Sequence, residues 1–310
     1  MAQIQLAHVG CGGMGLRHIC GLIELKERGF DTFELAALCD QHRPAAEHVA
    51  AVAEEGLGQR PRIYVEYEAM LEKERGVDAV SIVVDTRMHH AFAMKALETG
   101  KHVAVEKPMG LTVRACRLMI ESARRTLKVL SASENFRRDP MNRLVKAVLE
   151  SGAIGEPRMT VMTRMAGGRS VQQVAAWRHQ KTRGGLMLEY GVHTADLVLY
   201  FMGEVARVFA ETHLWEPLRY MVEPGLGLGE FYAHRVREEI EMGEVFEATV
   251  EDAAFAVLSR SFGGGGPSQH QLRRSRKRPL NQRHLWRRRI AYADGRPAVV
   301  AGRACTGAGP

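Results

Sequence analysis

Residues 3–15, Gln3-Ile4-Gln5-Leu6-Ala7-His8-Val9-Gly10-Cys11-Gly12-Gly13-Met14-Gly15, decide the fold. The first seven alternate loosely, read as a strand, and run without a break into a G-x-G-x-x-G string. The string alone is weak evidence. Its surroundings strengthen it, because a strand precedes it and apolar residues at 16, 19, 22, 23 and 25 trace a helix over 16–28. In such a strand–turn–helix unit Gly10 permits the tight turn, Gly12 lets a pyrophosphate approach the backbone, and Gly15 lets helix and strand pack closely. The helix start then offers free N–H groups and a positive dipole end to phosphate.

A second strand, Phe33–Cys39, ends at Asp40, the place for an acid that accepts hydrogen bonds from the ribose hydroxyls of a dinucleotide. Asp40 lies beyond the usual spacing of ~20 residues from the glycines, and the insert 26–32 supplies the difference. An Asp here could also be a plain turn residue or helix cap; the glycines upstream favour ribose. Its charge would repel a 2'-phosphate, which favours NAD, while His42 and Arg43 leave NADP open.

Strand-like runs at 62–65, 79–84, 102–105 and 128–132 alternate with helical stretches ending near residues 73, 97 and 125. Repeated units of this length predict a right-handed parallel sheet with helices on both faces over residues 1–132. In His102-Val103-Ala104-Val105-Glu106-Lys107-Pro108 a buried strand stops at a lysine, in the crevice where open parallel sheets bind ligands. A lone lysine there would ordinarily be a solvated strand end. His89 and His90 open a helix just past another strand end, so one of them faces the nicotinamide or both are exposed first-turn residues.

The pattern changes at Ser133. An amphipathic helix over 144–149, a period-2 run over 158–165, a loop with Trp177 and Arg178, a Gly184-Gly185 break, a helix over 186–202 and strand-like runs at 205–212 and 246–258 predict an α+β partner domain over 133–262. On its helix, Glu189, His193 and Asp196 are spaced four and three apart, along one face. An imidazole beside a carboxylate that fixes its tautomer is what removal of an alcohol proton needs. A solvated stripe is disfavoured by the apolar surroundings, and a metal by the lack of further ligands, so no metal is expected.

With 310 residues and 25% charged side chains the chain suits a globular protein of two domains. Five cysteines without CxxC spacing argue against a disulfide framework and for a reducing cytoplasm. No signal-like start is present, and Glu189, His193 and Asp196 interrupt the apolar helix, so neither export nor a membrane span is expected. Residues 260–310 hold twelve Arg or Lys against Asp294 alone, a net +11, which against +7 for the whole chain leaves residues 1–259 at −4. The basic character belongs to the tail, 263–310, which follows the break at 263–266 and reads as an aberrant or disordered end. An arginine run binds nucleic acid phosphates nonspecifically, but with only Trp286 and Tyr292 interleaved no nucleic-acid partner is expected.

Taken in order, Gly10-x-Gly12-x-x-Gly15, Asp40, Glu106-Lys107-Pro108, Asn135-x-Arg137, Ser151-Gly152-Ala153-Ile154-Gly155 and Gly184-Gly185-x3-Glu189-x-Gly191-x-His193-x2-Asp196 resemble the Gfo/Idh/MocA family of oxidoreductases. The resemblance implies an α/β chain: an N-terminal Rossmann doubly wound parallel sheet, then a C-terminal α+β domain with a mostly antiparallel open sheet. It implies NAD or NADP at Gly10, Gly12, Gly13, Met14, Gly15, Asp40, Arg43, His90, Glu106 and Lys107. Lys107 would touch the reacting hydroxyl and His193 would be the acid/base, with Glu189 orienting it; Pro108 would follow a cis bond. Arg137, Trp177, Arg178 and His193 are candidates for the substrate wall.

Two departures stand out. Glu189 replaces the family's usual Asp, and Asp85-Thr86-Arg87 stands where relatives carry Thr-Pro-Asn before the histidine matching His90, so an anion would crowd the cofactor. The implied reaction is hydride transfer between the nicotinamide and a secondary hydroxyl of a sugar, cyclitol or related polyol. Some relatives instead cleave glycosides by transient oxidation with tightly held NAD, and a cofactor-sensing binding protein is a third reading. An intact C-terminal sheet would imply a homo-oligomer.

Overall fold

A computed structural model of the chain describes residues 3–165, 169–185, 187–222 and 245–260. The glycine break at 263–266, the basic tail and Leu186 lie outside them. Every described residue except Arg260 falls in one compact unit, residues 1–259.

The first part is a six-stranded parallel sheet of β1 (Ile4–Val9), β2 (Phe33–Cys39), β3 (Arg62–Tyr64), β4 (Ala79–Ile82), β5 (His102–Val105) and β6 (Leu130–Ala132). Their spatial order is β3-β2-β1-β4-β5-β6. The helices between them are α1 (Gly13–Glu27), α2 (Arg43–Leu57), α3 (Tyr67–Lys73), α4 (His89–Glu98) and α5 (Val113–Thr126). These strands are short apolar runs because helices cover them: α1 and α2 pack on Leu35 and Leu38, and α3, α4 and α5 on Ala7, Val80, Ile82, Val103 and Val105. Ile82 and Val105 are fully buried, each worth about 1.5–3 kcal/mol in removed apolar surface. The chain winds outward in both directions from β1, which lies between β2 and β4, so a crevice opens at the carboxyl ends of β1 and β4.

The second part holds α6 (Pro140–Glu150), β7 (Ser170–Gln172), α7 (Val192–Met202), β8 (Val205–His213), β9 (Leu218–Val222), β10 (Val245–Glu247) and β11 (Ala253–Arg260). β9 pairs antiparallel with β10 and parallel with β7, and β8 pairs with β11 in a separate ribbon.

Several local expectations are corrected here. Residues 158–165 form no strand: alternation marks two faces, but a strand exists only where a partner accepts its hydrogen bonds. The single run over 246–258 is two strands in different sheets, separated where Asp252 accepts the backbone N–H groups of Trp215 and Glu216 and a bond from Arg219. Trp177 and Arg178 sit on a 3-10 helix, Gln173–His179, rather than in a loop. The helix expected over 186–202 opens with a π-turn, Met187–Gly191, before α7. That wider turn undoes the common face predicted for Glu189 and His193. No helix among the described residues is long and apolar enough to cross a membrane.

Candidate active site

The parallel register sets one level across the sheet: Cys39, Val9, Ile82, Val105 and Ala132 are successive partners. One residue further on, Gly10 donates to the Cys39 carbonyl, Val83 to Val9, Glu106 to Ile82 and Ser133 to Val105, so the ladder continues into the loops and holds them. Everything the sequence marked in the first 132 residues emerges at this edge.

The glycine turn is built by close approach. Gly10 has φ +97°, and a Cβ there would lie 2.1 Å from the Val83 carbonyl oxygen; a Cβ on Gly15 would lie 1.9 Å from the Gly10 oxygen. At Gly12 a Cβ would meet nothing within 4 Å, so the omitted side chain serves something other than packing. Gly13 and Met14 start α1, whose opening N–H groups face outward from the turn. Asp40 accepts from Cys11 N at 2.6 Å and from His42 N at 2.8 Å, which fixes the acid beside the turn. An uncovered backbone at Gly12, a helix start and an acid at the second strand end fit a dinucleotide. Arg43 pairs with Glu47 at 3.4 Å on the outer side of α2.

Lys107 and Glu134 each stand two residues past their strand ends, and the Val105–Ala132 pairing makes them neighbours by register. The Lys107–Pro108 bond is cis. Glu106 is buried, with one carboxylate oxygen 2.9 Å from His18 on α1 and the other accepting from Lys107 N at 3.0 Å. Lys107 Nζ donates to the Glu189 carbonyl at 3.1 Å and lies 3.4 Å from its carboxylate. Glu189 is 3% exposed and also accepts from Thr86 Oγ1 at 3.1 Å. A buried carboxylate is stable here because a cation and a hydroxyl both meet it.

His193 is buried, with Nδ1 2.8 Å from both oxygens of Glu134 and its ring stacked on Phe136 at 4.2 Å. The carboxylate on the imidazole is therefore Glu134, in place of the expected Glu189, because the π-turn aims Glu189 at Lys107. Asp196, three residues past His193 on α7, meets the same segment and holds Arg137 bidentately, with Nε–Oδ2 at 2.7 Å. Trp177 carries Arg178 and Arg183 over its ring, and Arg178 reaches to 4.0 Å of Glu189.

His90 is partly exposed, and its side chain makes no hydrogen bond among the described residues. The buried neighbour is His89, whose Nδ1 and Nε2 lie 2.9 and 3.1 Å from the carbonyls of Pro108 and Val84. Burial holds its ring below the ordinary imidazole pKa. Asp85 does not stand as a bare anion, since Arg87 and Arg183 bind it. Burial pushes its carboxyl up, and those two guanidiniums outweigh the effect and hold it below the usual range. Among the described residues no three His, Cys, Asp or Glu side chains are grouped to hold a metal.

Two family models cover most of the chain: an oxidoreductase family with an NAD-binding Rossmann fold matches residues 4–134, and the GFO/IDH/MocA C-terminal domain matches 142–275. The chain belongs to the Gfo/Idh/MocA family. A glycosyl hydrolase family 109 protein of Shewanella sp. (strain W3-18-1) is 29% identical over 161 residues, 50% of this chain and 34% of that protein. The chain thus spans about a third of that relative's length. The scyllo-inositol 2-dehydrogenase (NAD(+)) of Bacillus subtilis (strain 168) is 27% identical over 280 residues, 83% of this chain and 77% of that enzyme. An NAD binding oxidoreductase from Klebsiella pneumoniae shares the fold, with a TM-score of 0.64 at 22% identity over 84% of this chain and 64% of that one. As a Gfo/Idh/MocA chain it has an NAD-binding Rossmann domain, in agreement with the glycines and Asp40.

Sequence reasoning passed over Glu134, and it named Thr86 and His89 without their partners. Glu134 had a signal, since it follows β6 by the same two residues that separate Lys107 from β5. The partners of Thr86 and His89 had none, because only folding brings these residues to Glu189 and to the cis proline's carbonyl.

Proposed function

We propose that this Gfo/Idh/MocA chain is an NAD(P)-dependent dehydrogenase acting on a secondary hydroxyl of a sugar, cyclitol or related polyol. The observation that carries the reading is the joining of Lys107 and His193 through one segment: Glu189 grips the amine, and one turn later His193 is held by Glu134. Bound at the glycine turn, NAD supplies a hydride acceptor at nicotinamide C4.

The chain's own residues do the rest. A carboxylate only accepts, so Glu134 keeps the proton of the neutral imidazole on Nδ1 and leaves Nε2 to take the hydroxyl proton. Lys107 donates to the same oxygen as negative charge develops on it. Glu189 and Thr86 keep the amine in place, so Glu189 acts through Lys107. Arg137, Trp177 and Arg178 line the approach, Arg137 anchored by Asp196. Residues 1–132 are the cofactor part, 133–262 the substrate part, and a second chain against the C-terminal strands would give the homo-oligomer.

A panel of sugars and inositols, followed by the absorbance of reduced nicotinamide, tests this reading. Lys107→Ala and His193→Ala should each lose roughly 10²–10⁴-fold in kcat with NAD affinity retained, and Glu134→Gln should fall with His193→Ala. Full turnover in both alanine variants would end the assignment. The likeness to a glycosyl hydrolase family 109 protein supports a second reading, glycoside cleavage by transient oxidation. Cofactor that copurifies and is unchanged after turnover would favour it.

A further inference from the structure

Around His193, three cations have a carboxylate of their own and two do not. Arg137 is taken up by Asp196, Arg183 by Asp85, and Lys107 by Glu189. Two guanidiniums are left over. Arg178 comes only within 4.0 Å of Glu189, which Lys107 already occupies, and its buried Nε has no acceptor among the described residues. Arg164 is exposed and has no carboxylate partner among the described residues.

Both are held by aromatic rings. Arg164 lies over Tyr190 at 5.3 Å and over Phe136 at 5.4 Å, and Arg178 lies over the same Tyr190 at 5.9 Å. Phe136 in turn stacks on the imidazole of His193. A ring face eases a cation but supplies no counter-charge. Their fork geometry matches an oxyanion, the counter-charge each of them lacks.

We propose that the substrate carries an oxyanion, a carboxylate or a phosphate, received by Arg164 and Arg178 beside Tyr190. This deepens the dehydrogenase reading and rests on it, because it takes His193 as the place where the hydroxyl lies. Arg164 and Arg178 then set specificity: a neutral polyol leaves both unpaired, and an acid or phosphate ester pairs them while its hydroxyl reaches the imidazole.

Calorimetric titration of the NAD-loaded full chain tests it without needing turnover. The probes are glucose, galactose and mannose, each beside its 6-phosphate and its uronate. In at least one set an anionic member should bind roughly tenfold or more tightly than the neutral hexose, and added salt should erode the difference. Whether the uronate or the phosphate leads tells which oxyanion is meant. Arg164→Gln and Arg178→Gln should each remove most of the preference, and Arg164→Lys should keep part of it. No anionic preference in any set overturns the proposal, as does a preference untouched by both Gln variants. If anions are preferred but no sugar in the panel reduces nicotinamide, the dehydrogenase reading fails while the anion site stands.

Discussion

Gly12 isolates one cause of cofactor binding at the scale of a single residue. Gly15→Ala would drive a methyl into the Gly10 carbonyl and harm the fold itself, whereas Gly12→Ala meets no protein atom within 4 Å. We expect Gly12→Ala to melt like the parent, within about 0.5 kcal/mol, while its NAD affinity, read by fluorescence titration, drops at least roughly tenfold as the methyl takes the pyrophosphate's space. A comparable loss of stability would mean that Gly12 serves packing. The loop glycines, Asp40 and Lys107 were legible in the sequence because each follows its own strand end, a purely local relation. The carboxylate on His193 was not, since helical spacing pointed to Glu189 and only the π-turn hands that place to Glu134, 59 residues from the imidazole.

Among the elements, α5 ends in a conformation its sequence resists. Leu127 caps the helix with φ 54°, in the left-handed region, and its side chain is 89% exposed, so it gains little from packing. Glycine adopts this geometry without a Cβ penalty. Leu127→Gly should therefore raise stability by roughly 0.5–1 kcal/mol in urea unfolding; a decrease would show that the side chain contributes contacts. Element legibility divides the same way as the two parts of the chain. β2, β4 and β5 could be read because burial writes itself as mostly apolar runs bounded by glycine or a charge. β8 carries Val208 and Phe209 at 60% and 67% exposure, and 158–165 alternates without pairing, so pattern there names a face and leaves the partner unspecified.

For the molecule as a whole, acid sensitivity should trace to His8. The ring is fully buried in β1, donates from Nε2 toward the Gly10 carbonyl, and leaves Nδ1 without a partner among the described residues. Burial, helped by nearby His18, lowers its pKa to about 3 from 6.5. The unfolded chain takes up a proton below 6.5 that the folded chain refuses until about 3, so the stability is complete above 6.5 and is lost as pH falls, by ~2 kcal/mol between pH 7 and 5. Urea unfolding of His8→Gln should show a shallower decline over that interval, and an unchanged slope would remove His8 as the cause. The tie between Lys107 and Glu189 bears on how such a chain is made. The glycine turn, Asp40 and Lys107 all lie within the first 132 residues, yet the amine's counter-charge lies 82 positions downstream of it. On a ribosome, the lysine is made first and waits, exposed to water, for a glutamate that has yet to be translated.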